Sequence, residues 1–288
     1  MRAALEAATG LRFRASPAEL SAGGGFARCQ RWDSDAGPVF VKVAPLASAA
    51  LLDAEADALR ALAGAEAVRV PAVLGLGTAG AQAFLALEWI EFHCAQPRTE
   101  AMLGEQLARL HHATAARFGW HRDNTIGATP QHNAWTTDWP EFFARHRLGD
   151  QLDLAARAGH GGRWLDRGHR LCEQLDTFFA EYRPQPSLLH GDLWGGNWAA
   201  DASGAPVLFD PATYYGDREA DLAMTHLFGG FGRAFYAAYQ GAWPLDAGAG
   251  ARRDLYNLYH VLNHLNLFGG GYRAQAEAMI ERLLAQAS

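Results

Sequence analysis

Asp192, Asn197 and Asp210 are the residues whose types and spacing could do chemistry. Asp192 and Asn197 stand five positions apart in His190-Gly191-Asp192-Leu193-Trp194-Gly195-Gly196-Asn197, and Asp210 follows eighteen positions after Asp192, at the end of Val207-Leu208-Phe209. A carboxylate at 192 could accept the proton of an attacking hydroxyl. Oxygen donors at 197 and 210, returned on neighbouring strands, could hold Mg²⁺ against nucleotide phosphates. Gly195 and Gly196 are expected to relax the backbone between them. The plainer alternative is an Asp-, Asn- and Gly-rich turn whose carboxylates are merely solvated. Residues upstream discriminate between the two.

The spacing matches that of a kinase catalytic loop, H-x-D-L-x-x-x-N, followed by a metal-binding Asp after the next short strand. Such a loop works only with a strand Lys that grips the nucleotide phosphates and a Glu on the following helix that orients it. Val39-Phe40-Val41-Lys42-Val43 places the chain's one Lys inside a hydrophobic strand, where an unpaired charge is costly. In the helix expected over residues 48–63, Glu55 shares the inward stripe of Leu51, Leu52, Leu59 and Leu62, whereas Asp53 and Asp57 point away. Glu55 is therefore the candidate partner of Lys42. Gly23, Gly24 and Gly25 could bring backbone N–H groups to the phosphates, or form a plain hairpin turn. Glu88, Trp89 and Ile90 fall where the backbone of an adenine-binding hinge belongs.

The elements that must position these groups divide the chain. Residues 11–14, 27–32, 38–43, 70–75 and 83–90 read as strands, with Asp35-Ala36-Gly37 as a hairpin turn. Beyond Pro97 the apolar spacing turns helical, over residues 100–113, 138–147, 164–182, 218–228, 251–268 and 272–287. The expected class is α+β, a two-lobed protein-kinase-like fold. Residues 1–90 would form a nucleotide-binding sheet lobe with one helix, and 91–288 a mostly helical catalytic and substrate-binding lobe. A net charge of −6 and a pI near 6.0 recommend no nucleic-acid partner. Cys29, Cys94 and Cys172 form no metal or disulfide pattern, which fits a reducing cytoplasm, and no apolar run is long enough for a membrane span.

Gly191 stands where protein kinases carry an Arg, and no A-P-E follows Asp210, so a small acceptor is expected rather than a peptide. Trp194, two residues past the base, could wall the acceptor or pack between lobes. His260, Asn263 and His264, with Tyr256 and Leu267, share one face of the helix at 251–268, and that polar face could line a sugar pocket. Asp217, Arg218 and Asp221 are expected to brace the catalytic loop, and His111-His112 to be one core and one surface residue.

Several stretches carry a more specific likeness: His190-Gly191-Asp192-Leu193-Trp194, Phe209-Asp210-Pro211-Ala212, Tyr214-Tyr215-Gly216-Asp217-Arg218-Glu219-Ala220-Asp221-Leu222-Ala223-Met224, Phe118-Gly119-Trp120, Asp123-Asn124-Thr125-Ile126-Gly127, Trp139-Pro140-Glu141-Phe142-Phe143 with Arg145-His146-Arg147-Leu148, and Asn263-His264-Leu265-Asn266-Leu267-Phe268-Gly269. Together they resemble the fructosamine (ketosamine) kinase family, whose general fold aminoglycoside and choline kinases share. The resemblance implies transfer of the ATP γ-phosphate, with Mg²⁺, to the 3-hydroxyl of a small or protein-bound ketoamine. Members often place a Cys directly after the glycine run. Here Phe26 stands there and Cys29 lies three residues on, so Cys29 is expected to be buried and without a role.

Overall fold

The computed structural model describes residues 1–14, 16–20 and 27–287. The chain opens with helix α1 (Arg2–Thr9). Strands β1 (Ala18–Leu20), β2 (Arg28–Ser34) and β3 (Gly37–Pro45) follow, then helix α2 (Ala49–Gly64) and strands β4 (Val73–Ala79) and β5 (Gln82–Glu88). All five strands pair antiparallel in the order β1-β2-β3-β5-β4. The expected hairpin turn joins β2 to β3.

Alternation in β3 decides which side does what. Val39, Val41 and Val43 bury into a small core with Leu5, Phe13, Trp32, Phe84 and Ala86. Phe40 and Lys42 therefore face the opposite way, toward the cleft. The expected strand at 11–14 is not formed. Phe13 makes a single bridge to Ser34, its N–H bonds the Glu6 carboxylate on α1, and its ring packs edge-on against Trp32. The alternation there marks one apolar anchor rather than a strand.

Helix α3 (Pro97–His111) leads into a hairpin, β6 (Asn124–Ile126) and β7 (Thr129–Gln131), and then α4 (Trp139–Phe143). A π-helical turn (Ala144–Gly149) connects α4 to α5 (Asp150–Arg157), which the sequence pattern did not reveal. The helix expected over 164–182 breaks at Cys172 into α6 (Arg163–Cys172) and a 3₁₀ turn (Leu175–Phe179). Strands β8 (Ser187–Leu188), β9 (Trp198–Ala200), β10 (Pro206–Leu208) and β11 (Tyr215–Gly216) pair as β8–β11 and β9–β10. Helices α7 (Glu219–Leu227), α8 (Arg233–Ala242), α9 (Ala249–Phe268) and α10 (Gly271–Ala287) complete the chain.

Helix α8 also escaped the sequence reading, because it buries only Phe235 and Tyr239 and is aromatic-rich rather than leucine-periodic. It packs closely on α3: a Cβ at Gly104 would lie 2.3 Å from the Phe235 carbonyl oxygen. Helix α9 departs from its expected two-faced character. Every residue from Leu255 to Asn263 is buried, so the helix runs through the core. No helix among the described residues is long and apolar enough to cross a membrane.

Candidate active site

The loop between β8 and β9 is held from below by Asp221 of α7. Its carboxylate accepts the backbone N–H groups of His190 at 2.7 Å and Gly191 at 2.8 Å. Buried His111 of α3 lies 3.2 Å from the same carboxylate and 2.8 Å from the Tyr239 hydroxyl on α8. Burial works to raise the Asp221 carboxyl, but the His111 contact and the loop's N–H groups outweigh it and hold it below the usual range. Gly191 has φ 84°, and a Cβ there would lie 2.1 Å from the Ala212 carbonyl oxygen. No residue with a side chain fits, which is why no Arg stands before the Asp.

The same loop fixes Asp192. Its N–H donates to Nδ1 of His190 at 3.3 Å, which leaves Nε2 of that ring to donate to the Phe209 carbonyl at 3.0 Å. The buried imidazole thus ties the loop to the segment carrying Asp210. Asn197 donates its amide to the Asp192 carbonyl (2.8 Å) and carboxylate (3.1 Å), and approaches the Asp210 carbonyl at 3.4 Å. Burial foremost, and then the nearby charges of Asp210 and Asp221, push the Asp192 carboxyl up to about 7 against the Asn197 hydrogen bond. A carboxyl so tuned could serve as a base near neutral pH.

Asp210 adopts φ 55°, an unusual left-handed conformation for a residue with a side chain. It projects into the cleft, where its carboxylate meets Lys42 Nζ at 2.7 Å. The same ammonium lies 2.8 Å from Glu55 on α2. Burial would lower the Lys42 pKa, but these two carboxylates raise it overall, so the ammonium stays charged. Lys42, Glu55, Asp192, Asn197 and Asp210, drawn from both parts of the chain, therefore meet in one place. With its amide nitrogen turned to Asp192, Asn197 keeps its carbonyl oxygen, and Asp210 adds carboxylate oxygens. This is a hard donor set that fits Mg²⁺.

The cleft around these groups has a volume of about 1630 Å³, more than the roughly 300–1,000 Å³ typical of a one-ligand pocket. One end is lined by Phe40, Lys42, Glu55 and the Glu88, Trp89 and Ile90 segment. Glu88 spends its carboxylate elsewhere, on Arg69 at 2.6 Å and the Ala72 N–H at 3.2 Å. Arg69 in turn pairs with Asp201 in the β9–β10 turn, so the hinge segment is clasped to the helical part of the chain. The other end is walled by the β6–β7 hairpin, Trp194, Phe228, Asn263, His264 and Phe268.

Other expectations are corrected. His260 is buried and does not line the cleft, and its Nδ1 has no hydrogen-bond partner among the described residues. Burial pulls that ring down to about 3, so it is neutral. Tyr256 is likewise buried and donates to Asp217, because α9 runs through the core and only its last turns reach the cleft. Cys29 is half-buried on the cleft wall, opposite Lys42 in the β2–β3 register, and burial raises its thiol pKa. Gly195 and Gly196 do not serve unusual backbone angles. A Cβ at 195 would lie 3.0 Å from the Gly229 carbonyl oxygen, and one at 196 only 2.3 Å from the Trp194 ring. Gly23, Gly24 and Gly25 lie outside the described residues.

Sequence reasoning expected one of His111 and His112 in the core without saying which, and it missed the part that buried His111 plays in holding Asp221. It also missed Asn124 and Gln131 of the β6–β7 hairpin, which donate to the carbonyls of Thr213 (2.8 Å) and Ala212 (3.1 Å) beyond Asp210. The only signal for Asn124 was its place in one of the resembling stretches.

The profile of the fructosamine kinase family matches residues 1–286. A probable ketoamine kinase of Synechocystis sp. is 47% identical over 85% of this chain and 82% of its own. A protein-ribulosamine 3-kinase of Oryza sativa subsp. indica is 43% identical over 91% and 77%. The crystal structure of a fructosamine-3-kinase homologue from Thermobifida fusca superposes with a TM-score of 0.89 at 32% identity, covering 99% of this chain and 98% of that one. An aminoglycoside phosphotransferase, at 17% identity and a TM-score of 0.60 over 95% of each chain, shares the protein-kinase-like fold. A strand Lys paired with a helix Glu over a His-x-Asp loop, within a sequence matched over residues 1–286, identifies the chain as a member of the fructosamine kinase family.

Proposed function

We propose that the protein transfers the γ-phosphate of ATP to the 3-hydroxyl of ketosamines, the adducts formed when a sugar glycates an amine, with Asp192 as the general base. The observation that carries this reading is the position of Asp192. Raised to about 7, it stands in one continuous cleft between the Lys42–Asp210 ion pair and an aromatic-walled acceptor end. The relatives named ketoamine kinase and protein-ribulosamine 3-kinase support the choice of acceptor.

In this reading Lys42, oriented by Glu55, grips the nucleotide phosphates, and the Glu88–Ile90 backbone meets the adenine. Asn197 and Asp210 would hold Mg²⁺, which when bound neutralises charge on the phosphates. Asp192 takes the hydroxyl proton as the oxygen attacks phosphorus, and the Asn197 amide keeps its carboxylate aimed. The unpaired cysteines fit a reducing, ATP-bearing compartment such as the cytoplasm.

The outcome follows from where the phosphate lands. With the carbonyl at C2 and the amine at C1, loss of a C1 proton gives an enaminol that can expel a leaving group from C3. Hydroxide leaves poorly and phosphate leaves readily, so the product eliminates phosphate to leave an imine at C1, and water hydrolyses that imine to free the amine. Incubation with Mg²⁺-ATP and ribulosyl-lysine should give a phosphorylated adduct, then free lysine and inorganic phosphate after the enzyme is removed. Phosphate transfer only to an aminoglycoside or choline, or a product that is stable without enzyme, would overturn the reading.

A further inference from the structure

Away from the cleft, His132, His146 and Asp150 are, among the described residues, the one group of three metal-ligating side chains whose donor atoms all lie within 4.8 Å of one another. We propose that they form a binding site for a borderline transition-metal dication of the Zn²⁺ type, separate from the oxygen-donor site at Asn197 and Asp210. Two imidazoles and one carboxylate suit Zn²⁺, Ni²⁺ or Cu²⁺, whereas Mg²⁺ prefers an all-oxygen shell. The two sites therefore select different ions by donor chemistry.

The three ligands come from two segments that the fold brings together. His132 directly follows β7, His146 lies in the π-helical turn, and Asp150 opens α5. Nδ1 of His132 already lies 2.8 Å from the Asp150 carboxylate, and the two imidazole rings are 6.4 Å apart. His146 and Asp150 lie four positions apart across the π turn, and π-helical turns are often found at functional positions.

Preorganisation is the second observation. Arg147 is fully buried, and its guanidinium donates to the backbone carbonyls of both His132 (2.8 Å) and His146 (2.9 Å). A further bond to Asn133 at 2.8 Å and stacking on Tyr214 at 4.0 Å fix that guanidinium in turn. One immobile group thus sets the backbone of two ligands, so little ordering remains to be done when an ion binds. The His132 side chain is 51% exposed, which leaves an entry path and open coordination positions for water. By contrast, His121–Asp57 and His169–Asp153 are plain two-member pairs, at 3.0 and 3.6 Å.

Occupancy would tie the end of β7 to α5. Gln131, next to His132, bonds the Ala212 carbonyl and the Tyr259 hydroxyl, so the clamped segment is one that supports the chain beyond Asp210. The test is calorimetric titration of Zn²⁺ into the tag-free full chain in excess Mg²⁺, which occupies the oxygen-donor site. One equivalent of Zn²⁺ should bind saturably and raise Tm. His132→Ala and His146→Ala should each weaken binding by more than the roughly 10- to 100-fold that loss of a supporting partner costs, and His169→Ala should leave it unchanged. Co²⁺ in place of Zn²⁺ should give visible bands that disappear in His146→Ala. Absence of saturable binding over Mg²⁺, binding that survives both His substitutions, or a Co²⁺–thiolate band would each overturn the proposal.

Discussion

The two ends of the cleft are built on opposite principles. At the proposed phosphate end, Lys42, Glu55, Asp192, Asn197 and Asp210 form a continuous run of charged and polar contacts of 2.7 to 3.4 Å between the sheet and the helical part of the chain. At the proposed acceptor end, Trp194, Phe228 and Phe268 are 40%, 40% and 66% exposed, and Trp194 meets Phe228 edge-on with ring centroids 6.5 Å apart. Triphosphate chemistry is the same for every acceptor and rewards groups held in advance. An acceptor of variable shape is better met by apolar surface left uncovered until it arrives. The contrast predicts that changes at the first end damage turnover and changes at the second damage recognition.

The strongest test of that contrast is Asp192→Asn. It should lower kcat by roughly 10²- to 10⁴-fold with Tm preserved, since the Asn197 hydrogen bond to an oxygen at this position can be kept. Near-normal turnover would remove Asp192 from the base role. Next in size is the Lys42–Glu55 coupling. A double-mutant cycle of Lys42→Met and Glu55→Gln on kcat/KM should show an interaction of about 0.5–3 kcal/mol, whereas strict additivity would mean that the 2.8 Å contact does not orient the lysine.

Trp194→Ala probes the other end. Loss of an exposed aromatic wall of about 0.5–1.5 kcal/mol, roughly 2- to 10-fold, should appear in the KM for ketoamine and leave the KM for ATP unchanged. An equal rise in both constants would erase the distinction between the ends. The smallest expected effect is on a titration. In metal-free, nucleotide-free protein the Asp192 carboxyl should titrate near the value of about 7 that burial foremost gives it, measurable by ¹³C NMR. Because a base works only when ionised, its competent fraction falls as pH drops through that value. Asp210→Asn removes a neighbouring negative charge and should shift the titration to lower pH, while an upward shift or none would show that Asp210 does not act on it.

How legible the site was depended on how local its logic is. Lys42 announced itself as a single charge in an apolar strand, and Glu55 by its register on one amphipathic helix. Both readings use a period of two or about four residues, which local sequence contains. The same periodicity misjudged α9, where polar and leucine faces were apparent but the helix is surrounded, so that His260 sits in the core while His264 reaches the cleft. Periodicity ranks the faces of a helix; it does not say how many of them are covered.

By itself, then, the sequence determined the class of fold and singled out the residues here proposed to react: Asp192, Asn197 and Asp210 at their spacing, with strand-borne Lys42 and helix-borne Glu55. Only the tertiary structure decided what supports that set. The His111–Asp221 contact spans 110 positions and the Arg69–Asp201 clasp 132. Gly191 is required by the Ala212 carbonyl beside it, and Gly196 by the ring of Trp194. The physical reason is that periodicity and motif spacing are properties of a few consecutive residues. A supporting contact is a meeting of groups far apart in the chain, chosen by shape and by the cost of leaving a buried polar group unpaired.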